Sequence, residues 1–238
     1  MTFARRKQFA LSVVVAVLVT TVLIAASALG SRSEGEAAAD TPAIAALSGE
    51  PELLRGIPQN GTMLGSPDAP VTLVEYADLQ CPYCGQWARN AFPQLVRDYV
   101  RTGRVRMEFR GLAFLGPDSD KALRTALAAA EQRRFWDVVH LLFTNQGSEN
   151  AGWVTEGLLA RIGAAVAGLD GKRMRDSRWS PRVERQLAAA SASAERDGVT
   201  GTPAFMAGPT GGKLHPVVVT SLDAAPFRAH LDGLLAAR

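Results

Sequence analysis

Val71-Thr72-Leu73-Val74-Glu75-Tyr76-Ala77-Asp78-Leu79-Gln80-Cys81-Pro82-Tyr83-Cys84 is the stretch around which the chain is organised. Its last four residues hold the only two cysteines among 238 residues. The apolar run 71–76 ends shortly before Cys81, and residues 86–100 follow with helical spacing of Trp87, Phe92, Leu95, Val96 and Tyr99. The pair therefore sits where a strand turns into a helix. The first N–H groups of a helix lack intrahelical partners and the dipole there favours negative charge, so a thiolate at Cys81 would be stabilised. Pro82 suits the first turn, where its missing N–H costs nothing. Cys84, one turn further in, is close enough to close a small disulfide ring and buried enough to react more slowly. The arrangement suggests redox chemistry, with Cys81 as the attacking and attacked sulfur and Cys84 resolving the mixed disulfide.

Other uses of the pair fit less well. Zinc needs two further ligands, and His140, His215 and His230 are not paired at short spacing, so no metal site is expected. A structural disulfide over four residues would restrict the unfolded chain very little.

Residues 1–30 carry Arg5-Arg6-Lys7 and no acidic residue, and from Phe9 to Leu29 the only polar members are Ser12, Thr20, Thr21 and Ser27. About 21 residues give roughly 31 Å of helix, enough to cross a hydrocarbon core, so an uncleaved transmembrane anchor is favoured. Ala26-Ser27-Ala28 resembles a signal-peptide cleavage site, and removal stays open. The basic cluster places residues from about 31 onward outside the cytoplasm, where disulfides persist. The net charge of +3 equals that of Arg5, Arg6 and Lys7. The neutral remainder gives no sign of nucleic-acid binding.

Residues 31–61 are rich in Ala, Gly, Ser, Pro and Glu without a sustained period, and read as a flexible linker. Residues 62–238 form the domain. The pattern predicts a short strand near 62–64, a strand 71–76, a helix to about Arg101 and a strand 104–110, a β-α-β unit with Gly103 capping the helix. Helices follow over 121–132, capped by Asp118-Ser119-Asp120, then 135–144, 154–166, and from Ser180-Pro181 to about Asp197. Phe135, Trp136 and Phe143 read as core, and His140 beside them as a core or surface histidine rather than a base. Strands at 204–207 and 213–220 then form a hairpin, with Pro216 requiring an edge or a break, before a last helix over 223–237.

These residues resemble the DsbA-like branch of the thioredoxin-fold family, in which a helical domain is inserted into a thioredoxin domain. The expected fold class is thus α/β, thioredoxin-like, with an all-helical insertion at about 118–197 and a transmembrane helix before it. The resemblance covers about 62–238. It is carried by Gly65-Ser66-Pro67-Asp68-Ala69-Pro70, Glu75-Tyr76-Ala77-Asp78, Cys81-Pro82-Tyr83-Cys84, Phe135-Trp136, and Gly198-Val199-Thr200-Gly201-Thr202-Pro203-Ala204-Phe205. It implies that Pro203 is a cis-proline facing the disulfide, leaving the Thr202 backbone to pair with an extended substrate chain. It also implies that Glu75 is a buried acid beneath the disulfide, exchanging a proton with Cys84. Tyr83 departs from the best-known oxidase pattern, which has a histidine there. A tyrosine hydroxyl donates at most one uncharged hydrogen bond to the thiolate, which implies a less oxidising disulfide.

The resemblance implies a membrane-tethered, extracytoplasmic thiol-disulfide oxidoreductase that needs no cofactor and donates its disulfide to exported cysteine-containing proteins. Its reoxidant would be a membrane quinone-linked enzyme of the DsbB or VKOR-like kind. A reductase or isomerase, or a non-catalytic binding module or holdase, is the competing expectation.

Overall fold

The computed structural model describes residues 51–237. Along them run α1 (Pro51–Leu54), β1 (Gln59–Asn60), β2 (Met63–Leu64), β3 (Val71–Ala77), α2 (Pro82–Leu95), β4 (Val105–Gly111), α3 (Pro117–Ala130), α4 (Phe135–Thr144), α5 (Glu156–Ala165), α6 (Gly171–Asp176), α7 (Pro181–Arg196), β5 (Ala204–Pro209), β6 (His215–Pro216) and α8 (Ala224–Ala236). The strands make one sheet in the order β1-β2-β4-β3-β5-β6. β3 pairs parallel with β4 and antiparallel with β5, so it is central and every residue of it is buried.

Period-two alternation splits β3 between two cores. Val71, Leu73 and Ala77 enter the main cluster with α2, α4 and α8, whereas Val74 and Tyr76 face a smaller one with Met206 and Ala194. Glu75 belongs by register to the first set, a carboxyl aimed into the main core. Five aromatic side chains hold that core together: Trp87 lies 5.0 Å from Phe205 and 5.8 Å from Phe227, and Phe92 stacks on Trp136 at 5.3 Å. Such pairs add to the area each ring buries. They join α2 to the sheet on one side and to the inserted helix α4 on the other.

The helices α3 to α7 all fall between β4 and β5, so the insertion expected from the sequence is present as a thioredoxin-like α/β fold with an inserted helical region. Asp197, just past α7, accepts hydrogen bonds from Tyr76 Oη (2.6 Å) and Arg110 (3.1 Å), tying the end of the insertion to the sheet. Gly103 takes φ +72° at the turn from helix to β4, the left-handed conformation a glycine best supplies.

Several boundaries differ from the sequence reading. Residues 51–60, expected in the linker, form α1 and β1, because Leu53, Leu54 and Ile57 bury themselves against the main core. α3 begins at Pro117 with Gly116 as its cap, since Asp118 and Ser119 are turned inward rather than capping. α6, capped by Asp170, was not foreseen. The strand expected over 213–220 shrinks to His215–Pro216 at the sheet edge, as a residue without an N–H requires. Beyond it Val218 is 91 % exposed. Among the described residues no helix is long and apolar enough to cross a membrane; the anchor expected over 9–29 lies outside them.

Candidate active site

Cys81 is the N-cap of α2, with extended dihedrals (φ −63°, ψ 119°), Pro82 at the first helical position, and its sulfur accepting from Cys84 N–H at 3.5 Å. This is the geometry in which unpaired helix N–H groups and the dipole act on a thiolate. Both cysteines are free thiols; Cys81 is 5 % exposed and Cys84 fully buried. The Thr202–Pro203 bond is cis, and the Cys81 thiol donates to the Thr202 carbonyl at 3.3 Å. Residues 81 and 202, far apart in sequence, are thus brought into contact.

The electrostatics separate the two sulfurs. A hydrogen bond from Cys84 lowers the Cys81 pKa to about 6; the Thr202 hydroxyl and the N–H groups of Cys84 and Tyr83 help, against an opposing effect of burial. Burial, first, and the hydrogen bond to Cys81 and nearby negative charge push the Cys84 thiol well up. One sulfur is a thiolate at neutral pH and its neighbour holds a proton. Glu75, 1 % exposed, is held well above the usual carboxylate range by burial and then by the charge of Cys81. Its Oε1 has no protein partner. Tyr83 is 64 % exposed, and its backbone N–H rather than its phenol supports the thiolate. Pro82 is exposed and acts through its place in the helix.

The cysteine loop is held by residues that sequence reasoning missed. Asp78, fully buried, accepts from Gln80 N–H (2.8 Å), Ser119 Oγ (2.6 Å), Phe114 N–H (3.1 Å) and Leu115 N–H (3.2 Å). Gln80 donates to Ser119 Oγ and accepts from Asn150 N–H at 2.7 Å. Gln146 donates at 3.0 Å to the carbonyls of both Leu79 and Cys81. A Cβ at Gly85 would run into the Gln146 amide, so the glycine beside Cys84 makes room for it. The available signal was a polar Asp78 and Gln80 inside an otherwise apolar run; their partners outside the loop lie 36 to 70 residues away.

The Cys81 shift has a direct consequence. Because its folded pKa lies below the ordinary 9.0, the dithiol form gains stability that is fully present above about pH 9 and is lost as pH falls through about 6. The rate of Cys81 alkylation by iodoacetamide should be half-maximal near pH 6 and about a tenth of its plateau at pH 5. A rate still rising through pH 8, followed by mass spectrometry, would contradict this geometry.

A thiolate at a helix N-terminus facing a cis-proline, on a thioredoxin-like sheet with a helical insertion, defines a thioredoxin-fold dithiol protein. The chain belongs to the thioredoxin family, which it matches over residues 58–215. It is similar to the disulfide bond formation protein D of Bacillus subtilis, at 33 % identity over 137 residues, covering 56 % of this chain and 58 % of that one. The chain spans 58–66 % of the length of the disulfide bond formation proteins it matches. Among solved structures it is similar to a thioredoxin-like oxidoreductase from Silicibacter pomeroyi, at 28 % identity and TM-score 0.58, covering 80 % of this chain and all of that one. Oxidised BdbD from Bacillus subtilis shares the fold, at 22 % identity and TM-score 0.62, covering 76 % of this chain and 97 % of that one.

Proposed function

We propose that the chain is an extracytoplasmic thiol-disulfide oxidoreductase of the DsbA-like kind, which donates a Cys81–Cys84 disulfide to exported proteins. The asymmetry of the two sulfurs carries this reading. A stabilised Cys81 thiolate is a good leaving group when the substrate's own disulfide closes, and it favours the reduced enzyme, which makes the disulfide form oxidising. The protonated, buried Cys84 and the acid Glu75 beneath it suit a sulfur that must take up a proton as the disulfide opens. Thr202 and Pro203 stand where an extended substrate backbone would lie across Cys81. Residues 9–29 would anchor the enzyme, with residues 31–50 as the tether, and a quinone-linked membrane enzyme of the DsbB or VKOR-like kind would reoxidise it.

The sequence reading took Tyr83 as a sign of a weaker oxidant, but the thiolate draws on Cys84, Thr202 and the helix N–H groups instead. Equilibration of residues 51–238 with glutathione buffers should therefore give a potential nearer about −120 mV than about −270 mV. A value at the lower end would turn the assignment to a reductase. Failure to form the disulfide would leave a binding module.

A further inference from the structure

The Cys84 thiol and the N–H groups of Cys84 and Tyr83 all lower the Cys81 pKa, and all of them belong to the first turn of α2. Their hold on the sulfur depends on one rotation, the Cys81 ψ angle of 119°, which swings that turn about the Cα carrying the thiol. The Cys81 carbonyl moves with the same rotation. From inside the helix it accepts from Gly85 N–H at 3.0 Å, and from outside it accepts from the Gln146 amide at 3.0 Å. Both of its lone pairs are thus used. The same amide nitrogen donates at 3.0 Å to the carbonyl of Leu79, before the cap. One group therefore bridges the end of the loop and the start of the helix, and fixes the angle between them.

Gln146 is itself held in place. It follows α4 in the inserted helical region, where Arg89 of α2 donates to the Phe143 carbonyl at 2.7 Å. The next residue, Gly147, lies so close to Trp153 that a Cβ there would stand 2.6 Å from the Trp153 Cβ. On the helix side, a Cβ at Gly85 would stand 2.1 Å from Gln146 Oε1, so the bare backbone at 85 is what lets the amide reach both carbonyls. Asp78 and Gln80 restrain the same loop through other groups, toward Ser119 and Asn150. A site is positioned well when its supports are themselves locked by packing and hydrogen bonds.

We propose that Gln146, supplied by the helical insertion, is a positioning residue that fixes the Cys81 sulfur against the first turn of α2 by stapling the carbonyls of Leu79 and Cys81, with Gly85 as the opening it needs. It touches no reacting atom and acts through the Cys81 backbone. A looser junction lets the sulfur move away from the groups that stabilise its charge, and the disulfide becomes less oxidising. The inference rests on the proposed disulfide exchange and names a side chain of the insertion that tunes it.

The test follows iodoacetamide alkylation of Cys81 against pH in the reduced full-length chain, and the equilibrium of the same chain with glutathione. Gln146→Met keeps the length of the side chain and loses its donors. Its alkylation midpoint should rise from about 6 to about 7, so that the thiolate fraction at pH 5 falls about tenfold. The equilibrium constant for reduction of the disulfide by two glutathione thiols should fall about fivefold at pH 7, because less thiolate then stabilises the reduced form. Gly85→Ala supplies a better helix former but displaces the amide, and should raise the midpoint in the native background. In a Gln146→Ala background the same change should leave the midpoint where Gln146→Ala has put it, since the two residues act as one unit. Asn145→Ala removes a neighbouring hydrogen bond, to the Leu141 carbonyl at 2.9 Å, and should keep the native midpoint. If Gln146→Met fails to fold, the two Gly85→Ala chains decide. A native midpoint in Gln146→Met, or an equal Gly85→Ala shift with and without Gln146, would overturn the assignment. A native chain that forms no Cys81–Cys84 disulfide defeats the proposed function, and the alkylation midpoints then still judge Gln146; unchanged midpoints in a chain that exchanges normally defeat only the staple.

Discussion

Replacing Cys84 with serine should leave the chain able to attack a disulfide substrate but unable to finish, so that a mixed disulfide through Cys81 accumulates. Replacing Cys81 with serine should lower exchange by at least roughly 10⁴-fold. The contrast follows from the different surroundings of two residues three apart. Cys81 caps the helix, keeps some exposure and is a thiolate near neutral pH. Cys84 is fully buried, and its proton is held by burial and by the negative charge around it. Without Cys81, the remaining sulfur has neither the charge nor the access to react. Non-reducing gels after incubation with a disulfide-containing peptide read both outcomes. Equal trapping by Cys81→Ser would mean that the roles of the two sulfurs are reversed.

Asp78→Ala should destabilise the protein by about 3–5 kcal/mol, because it strips the partner from four donors at a fully buried position. For a domain of this size that corresponds to a melting point lower by about 10–15 °C. Asp78→Asn should cost less, since its amide oxygen still accepts from some of these groups. The loss should also reach the active site. The Asp78 carbonyl accepts from Cys81 N–H at 3.0 Å, and its carboxylate ties the cysteine loop to Phe114 and Leu115 after β4 and to Ser119 in α3. In Asp78→Asn the midpoint of Cys81 alkylation should therefore move above pH 6, toward that of an ordinary thiol. Thermal melts of Asp78→Ala within about 1 kcal/mol of the native chain would show that the network contributes little.

Much of this was legible in the chain because it is written locally. The run 71–77, the proline after Cys81 and the spacing of Trp87, Phe92 and Leu95 encode a strand, a cap and an amphipathic helix. Local propensity and pattern are enough for such elements. Ser180-Pro181 likewise marked the start of α7, where the Ser180 hydroxyl accepts from Val183 N–H. Boundaries were less legible where long-range packing decides them. Residues 51–60 look like tether by composition, and only the core that receives Leu53, Leu54 and Ile57 makes them part of the domain. Asp118 and Ser119 carry the signature of a helix cap, but Ser119 is taken by Asp78 across 41 residues.

By itself the sequence determined that two cysteines stand at a strand-to-helix junction with a proline between them, and hence that Cys81 could be a thiolate. Only the tertiary structure decided how strongly the two sulfurs differ. That difference depends on Thr202, brought against Cys81 from 121 residues away, and on Glu75, which the register of the central strand turns into the main core. Burial and hydrogen bonding at those distances depend on how the whole chain packs, and a local pattern of residues does not contain them.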